Sequence, residues 1–372
     1  MSTYRKLFEP YTLRSGVELK NRILMAPMTA RQSFDNGMIT MDEIAYYERR
    51  AKGVSMLITA CANVTEDGRA FKGGPSIASD RMIPGHAKLA TAIQKQGAKA
   101  VLQIFHGGRN VPPDAIGCKQ PVCASSVAAL RDGAVVPRAL SSEEVEAIVE
   151  AFGEATRRAI QAGYDGVEIH GANTYLIQQF FSPQSNVRDD KWGGDLVRRM
   201  AFPLAVARKV CETVEKHATK PFIVGYRISP EEPHTPGIEL AETIQLLERL
   251  TDLPLDYVHL SLADVWRTSA REANATPVLI RMQEAIGDKV PLVGVGSIVH
   301  PDDALSVVEQ GIPFVAIGRA LVVEPEWVEK VQEGHVDELR MTMSERDREE
   351  LTISPAMWDY IAAVQGWFPI EE

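Results

Sequence analysis

Short unbroken apolar runs alternate along this chain with longer stretches of helical period. The first run, residues 22–28, ends near Pro27 and reads as a buried strand with Thr29 just past its edge. Residues 40–52 have helical spacing and stop at Gly53, a good residue for the position after a helix, before a second run at 54–59. Residues 84–96, closed by Gly97, predict the next helix, and 100–105 the third strand, with a polar Gln103 inside it and His106-Gly107-Gly108-Arg109 at its tip. Residues 110–140 are rich in proline and glycine and lack a clear period, so they predict a long excursion over one face of the fold. Ser141 and Glu144 offer a capping box for a helix that runs to Ala162, with Val145, Ile148, Val149 and Phe152 on its inner face. A fourth apolar run, 167–169, follows the turn signal Gly163-Tyr164-Asp165-Gly166.

The alternation continues to residue 320. Residues 195–216 predict one long helix, 221–227 a fifth strand with a cationic tip, and 229–237 a proline-rich loop. Helices at 239–250, 277–286 and 302–310 then separate strands at 256–262, 291–296 and 313–319. Strands without apolar/polar alternation are buried on both faces, as in parallel sheets. Eight such βα units therefore predict a single α/β domain, residues 1–372. Its core is a (β/α)8 TIM barrel over about 22–320, with a loop excursion after strand three and a helical tail over 321–372. Trp358, Tyr360 and Trp367 in that tail are expected to pack on the barrel or on a second copy of the chain.

Composition narrows the function. The 372 residues are 45% hydrophobic and 24% charged, enough for one large core. A net charge of -10 argues against nucleic-acid and anionic-membrane partners, which call for clustered Lys and Arg. The start is mixed polar sequence, and no stretch approaches the roughly 18 apolar residues of a membrane span, so a cytoplasmic protein is expected. Cys61, Cys118, Cys123 and Cys211 lack CxxC spacing, which predicts reduced, mostly buried thiols and neither zinc nor an iron–sulfur cluster.

Candidate chemistry concentrates after strand four, where His170 is expected to leave the strand and enter a loop with Asn173 and Tyr175. A neutral imidazole and an amide both donate hydrogen bonds to a carbonyl oxygen, and a phenol of pKa near ~10 keeps its proton at neutral pH. Two donors and one acid suit reduction of an activated double bond. Taken alone, Tyr175, Leu176, Gln179 and Phe180 equally fit a helix start packed on a core. Convergence decides between the two, because every strand of a parallel barrel opens on one mouth and Thr29, Gln103, His170, Asn173, Tyr175 and Arg227 become neighbours there. Gly296-Ser297-Ile298 and Gly318-Arg319, after strands seven and eight, let backbone N–H groups approach a phosphate, with Arg319 adding charge.

Together these residues resemble the Old Yellow Enzyme family of flavin-dependent ene-reductases, over nearly the whole barrel. The likeness rests on Ala26-Pro27-Met28-Thr29, on Gln103 before His106-Gly107-Gly108-Arg109, and on His170-Gly171-Ala172-Asn173-Thr174-Tyr175-Leu176 with Gln179-Phe180-Phe181-Ser182-Pro183. Arg227 and Ala316-Ile317-Gly318-Arg319-Ala320 complete it. The resemblance implies tightly bound, non-covalent FMN, with Pro27 and Met28 against the isoalloxazine, Thr29 toward O4 and N5, and Gln103 on the pyrimidine edge. Arg227 is implied near N1 and O2, and Gly296, Ser297, Gly318 and Arg319 at the phosphate; Cys61 is carried among the cofactor-binding residues. A guanidinium at N1 and O2 stabilises the reduced flavin and raises its potential. The resemblance also implies that NADH or NADPH reduces FMN and gives way to an enone or related electrophile. His170 and Asn173 then hold the carbonyl oxygen, each supplying ~3 kcal/mol to the enolate, and Tyr175 protonates the α-carbon.

Some residues depart from the family pattern. Thr174 stands where glycine is usual, in the turn that aims Tyr175, and Trp192 stands where tyrosine is more usual. The tail shows no tyrosine–arginine finger of the kind some members insert into a neighbouring subunit, which leaves a homo-oligomer open. With no cysteine after Cys211, the iron–sulfur extension of the dienoyl-CoA reductase relatives is not expected. Thr174 and Trp192 raise the alternative of a flavin-binding protein with little or no ene-reductase turnover. A metal- or Schiff-base-dependent lyase is a third reading, for which no strand-end lysine or carboxylate cluster speaks.

Overall fold

In the computed structural model, which describes residues 3–117, 119–273 and 275–371, the eight apolar runs are strands with almost every residue buried. Cys118, one of the thiols expected to be reduced, lies outside the described residues. The strands are β1 (Ile23–Met25), β2 (Met56–Ile58), β3 (Lys99–Phe105), β4 (Gly166–Gly171), β5 (Ile223–Ile228), β6 (Tyr257–Leu260), β7 (Leu292–Val295) and β8 (Phe314–Ile317). Each is parallel to both neighbours, and the ring closes where Ala316 of β8 lies opposite Leu24 of β1. This is a (β/α)8 barrel. Leu24, Met56, Val101, Ile223, Val293 and Phe314 fill its interior, and a second, larger core lies between strands and helices.

The sequence did not announce the floor. An antiparallel hairpin, Tyr11–Thr12 with Glu18–Leu19, packs Leu13, Val17 and Leu19 into the barrel, and Tyr11 stands edge-on to Phe314 at 4.8 Å. That hairpin packs against the N-terminal ends of the strands, and the candidate site residues gather at the opposite, C-terminal ends.

The helices are α1 (Met41–Arg50), α2 (Ile83–Lys95), α3 (Ser142–Gln161), α4 (Leu176–Phe181), α5 (Leu196–Arg199), α6 (Ala201–His217), α7 (Leu240–Leu250), α8 (Val278–Ile286), α9 (Pro301–Glu309), α10 (Arg319–Val323), α11 (Trp327–Glu333) and α12 (Pro355–Ala362). Among the described residues none is long and apolar enough to cross a membrane. The capping box is present on α3, with Glu144 N donating to Ser141 Oγ at 3.2 Å and Ser141 N to Glu144 Oε2 at 2.8 Å. The single helix expected over 195–216 is instead two, α5 and α6, joined at Met200. Pro203 explains the break, because it lacks the N–H that would bond the carbonyl of Arg199. Gly53 is also not a helix cap. Its place is set by close approach, since a Cβ there would lie 2.5 Å from Val328 Cβ.

Among the described residues of the 110–140 excursion the chain forms a short 3-10 helix at Pro113–Ile116 and a two-residue parallel pair, Val122–Cys123 with Arg138–Ala139. Arg50 ties the tail to the barrel. Its buried guanidinium donates to the carbonyls of Tyr46, Leu321, Val322 and Leu351 at 2.7–3.2 Å and stacks over Tyr46.

One buried acid on α1 carries a pH signature. Glu43 accepts from Ser33 Oγ at 2.6 Å, and burial pushes its carboxyl up to about 7. Its folded pKa lies above the unfolded value, so its contribution is fully present below pH ~4.3 and is lost as pH rises through 7. Glu43→Gln should remove that loss. Urea unfolding at pH 8 should find the variant more stable than the parent by roughly 3 kcal/mol, with the difference vanishing near pH 4. Parallel pH profiles of the two proteins would refute it.

Candidate active site

Strand register places the polar residues. Gln103 of β3 lies opposite Glu168 of β4, and His170 of β4 lies opposite Arg227 of β5, so four side chains two residues apart share the barrel interior. His170 does not leave the strand as expected. The parallel ladder continues past it to Gly171, opposite Ile228, and the imidazole is 3% exposed. Its ring meets Tyr175 edge-on at 5.1 Å and lies 6.3 Å from Phe105.

Local hydrogen bonds fix which atoms remain available. Ala172 N donates to His170 Nδ1 at 3.4 Å, so the imidazole's proton sits on Nε2. Burial, then the nearby Arg227 charge, pull the His170 pKa down to about 3 and keep the ring neutral. Ser261 Oγ donates to Asn173 Oδ1 at 2.6 Å, which leaves the Asn173 amide N–H groups as the free end. Arg227 Nη2 in turn donates to Ser261 at 3.3 Å and Nη1 to the Pro27 carbonyl at 3.4 Å.

Asn173 and Thr174 both adopt left-handed backbone, φ 55 and 60. For a β-branched threonine that conformation is strained. Three side-chain amides hold it. Asn110 Nδ2 bonds Thr174 O and Oγ1, both at 2.8 Å, Gln178 Oε1 accepts from Thr174 N at 2.9 Å, and Gln179 Nε2 donates to Thr174 O at 2.6 Å. The turn therefore keeps a glycine-like shape without glycine and delivers Tyr175 to the start of α4. Burial, with Cys61 and Tyr360 nearby, raises the Tyr175 pKa, so the phenol holds its proton. Trp192 sits elsewhere, its Nε1 bonded to Ser142 Oγ at 2.8 Å and its ring edge-on to Phe202.

Beside this cluster the mouth contains a cavity of about 410 Å³. Pro27, Met28, Thr29, Arg227, Gly296, Ser297, Gly318 and Arg319 line it, together with Ala26, Leu262, Val295 and Ala316. Gln103 and Cys61 do not line it. Gln103 is bonded to Glu168 below, and Cys61 is a buried thiol pushed up to about 12 by burial. At one end Gly296 and Ser297 turn through φ 132 and 50, Ser297 Oγ donates to Ala263 O, and Arg319 Nη2 donates to Ser297 Oγ at 3.2 Å. A Cβ on Gly296 would lie 2.8 Å from the Asp264 backbone, so only glycine fits there. Tyr360 and Trp367 of the tail also line the cavity, and Arg319 Nη1 donates to the Trp367 carbonyl at 3.0 Å. Sequence reasoning left the tail's aromatic residues between the barrel and a partner, and they pack on the barrel's own rim.

Residues 6–338 match the model of the NADH:flavin oxidoreductase / NADH oxidase family. The chain belongs to that family. It is 50% identical over 372 residues, 99% of each chain, to a Bacillus subtilis protein described as a probable NADH-dependent flavin oxidoreductase. It is 44% identical over 364 residues to the NADH:fumarate oxidoreductase of Klebsiella pneumoniae, but spans only 39% of that protein's length. Among solved structures, the Old Yellow Enzyme homologue of Zymomonas mobilis superposes with a TM-score of 0.78 at 26% identity, over 88% of this chain and 93% of that one. Morphinone reductase in complex with tetrahydroNAD gives 0.74 at 28% identity, over 88% and 90%.

The protein is thus an NAD(P)H-dependent flavin oxidoreductase of the Old Yellow Enzyme family, with FMN as cofactor. The cavity fits such a group. It pairs an apolar floor with a cation at each end, and Arg227 Nε is buried with no partner among the described residues.

Proposed function

We propose that the enzyme reduces the activated C=C bond of α,β-unsaturated carbonyl compounds at the expense of NADH or NADPH. The observation that carries this reading is the pairing of free donors, His170 Nε2 and Asn173 Nδ2, beside a protonated Tyr175. In this reading Pro27, Met28, Thr29, Arg227, Gly296, Ser297, Gly318 and Arg319 hold FMN. FMN held there would supply the hydride chemistry that links the nicotinamide to the alkene. The chain does the rest. His170 and Asn173 donate to the carbonyl oxygen, whose charge grows as the enolate forms, and their fixed orientation makes that stabilisation available without rearrangement. Tyr175 delivers its proton to the α-carbon; the burial that raises its pKa keeps the acid loaded until the more basic enolate carbon takes the proton. Fumarate, which the Klebsiella relative's name gives as that protein's substrate, is an alkene of the same activated kind and belongs in the first assays beside cyclohexenone.

Turnover of 2-cyclohexenone with NADH or NADPH tests the reading directly. A yellow, FMN-loaded protein that oxidises neither nicotinamide in the presence of any enone would favour a flavin carrier. The anchors have their own test. A phenolate presents one anionic oxygen on a flat ring, as an enolate does, so His170→Ala and Asn173→Ala should each weaken phenolate binding about 10- to 100-fold, the range for a hydrogen bond to a charged group. Titration of the holoenzyme's visible spectrum with p-chlorophenol measures it. Unchanged dissociation constants in both variants would place the anchors elsewhere.

A further inference from the structure

Inside the barrel lies a polar cluster that the proposed reaction does not use. Glu168 is fully buried; its Oε1 accepts from Gln103 Nε2 at 2.6 Å and its Oε2 from His259 Nδ1 at 2.9 Å. His259 is equally buried, and its Nε2 has no partner among the described residues. In strand register His259 lies opposite Arg227, which itself lies opposite His170. Burial pushes the Glu168 carboxyl up, but His259, Arg227 and the Gln103 bond outweigh it, so the group is ionised. A carboxylate only accepts, so His259 Nδ1 carries a proton, and burial lowers the His259 pKa, which favours the neutral ring. The cluster therefore holds one anion and one cation, Glu168 and Arg227.

Among the described residues the two make no direct ion pair, and apolar side chains of similar volume often serve stability as well as buried charges do. A charge held this deep in the barrel, on the strand that also carries His170, calls for another role. Resting on the reading of the cavity as the FMN site, we propose that the buried Glu168 charge lowers the cofactor's potential, opposing that of Arg227, which lines the cavity. Charge balance gives the sign. Oxidised isoalloxazine is neutral and the reduced form is anionic, so a fixed carboxylate near Arg227 weakens the hold on the reduced form and leaves the neutral form nearly untouched.

Redox titration of the holoenzyme separates this role from simple packing. Glu168→Gln keeps shape and one acceptor while deleting the charge, and should favour reduced over oxidised FMN at least tenfold, an upward shift of about 30 mV for a two-electron couple. Glu168→Asp keeps the charge and should leave the potential near the parent's. A folded, FMN-loaded Glu168→Gln variant with the parent's potential overturns the proposal. If that variant does not fold, the comparison moves to Arg227→Gln with and without Glu168→Gln, at saturating FMN, where the added change must still raise the potential; no rise there overturns it too. Failure of the cavity reading itself looks different, since Arg227→Ala would then leave both FMN affinity and potential unchanged.

Discussion

Tyr175→Phe should leave reduction of the flavin by the nicotinamide close to the parent rate and slow its reoxidation by cyclohexenone by roughly 10²–10⁴-fold, the range for a lost general acid. The split arises because the nicotinamide half needs no proton from the protein, whereas the enolate formed in the second half does. Phenylalanine retains the ring and with it the edge contacts to His170 at 5.1 Å and Phe105 at 4.9 Å, so packing is conserved and only the proton is lost. A purely structural Tyr175 therefore forecasts near-parent behaviour in both halves. Stopped-flow absorbance follows each half separately. Equal reoxidation rates in variant and parent would hand the acid's role to water or another side chain.

The barrel was legible because its strands are continuous apolar runs punctuated by glycine and proline, and because a parallel ring buries both faces of every strand. The same feature hid details that depend on distant partners. The floor hairpin has only two residues per strand, Tyr11–Thr12 and Glu18–Leu19, too few to show a period. His170 was expected past the strand because an apolar run met a polar residue, yet register with β5 carries the ladder through it. Thr29, Arg227, Gly296, Ser297, Gly318 and Arg319 reach one cavity because each sits at a strand's C-terminal end, which topology alone dictates. Tyr360 and Trp367 reach the same cavity from the tail, through Arg50 and Arg319 contacts that no local pattern foretells. Glu168 was the overlooked signal. A charged residue in the middle of the run 167–169 marks a buried polar function, and it was read past because its neighbours are apolar.

Arg227→Ala should weaken FMN binding by about 10²–10³-fold and lower the potential of what remains bound. The guanidinium lines the cavity while making only long bonds to Pro27 O and Ser261 Oγ, at 3.4 and 3.3 Å, and its Nε has no partner among the described residues. It is thus a buried cation whose hydrogen-bonding capacity the protein leaves largely unspent, and an anionic flavin edge would meet it. Removing it strips that edge of its counter-charge and leaves Glu168 as an unbalanced buried anion. Losing that nearby charge should also lower the melting temperature of the apoprotein. Arg227→Lys retains the charge without the planar fork, so it should recover most of the potential and less of the affinity. FMN fluorescence in ultrafiltrates gives the affinity, and redox titration gives the potential. Parent values for both in Arg227→Ala would remove Arg227 from the cofactor shell and leave the cation at this end of the cavity without a role in the reaction.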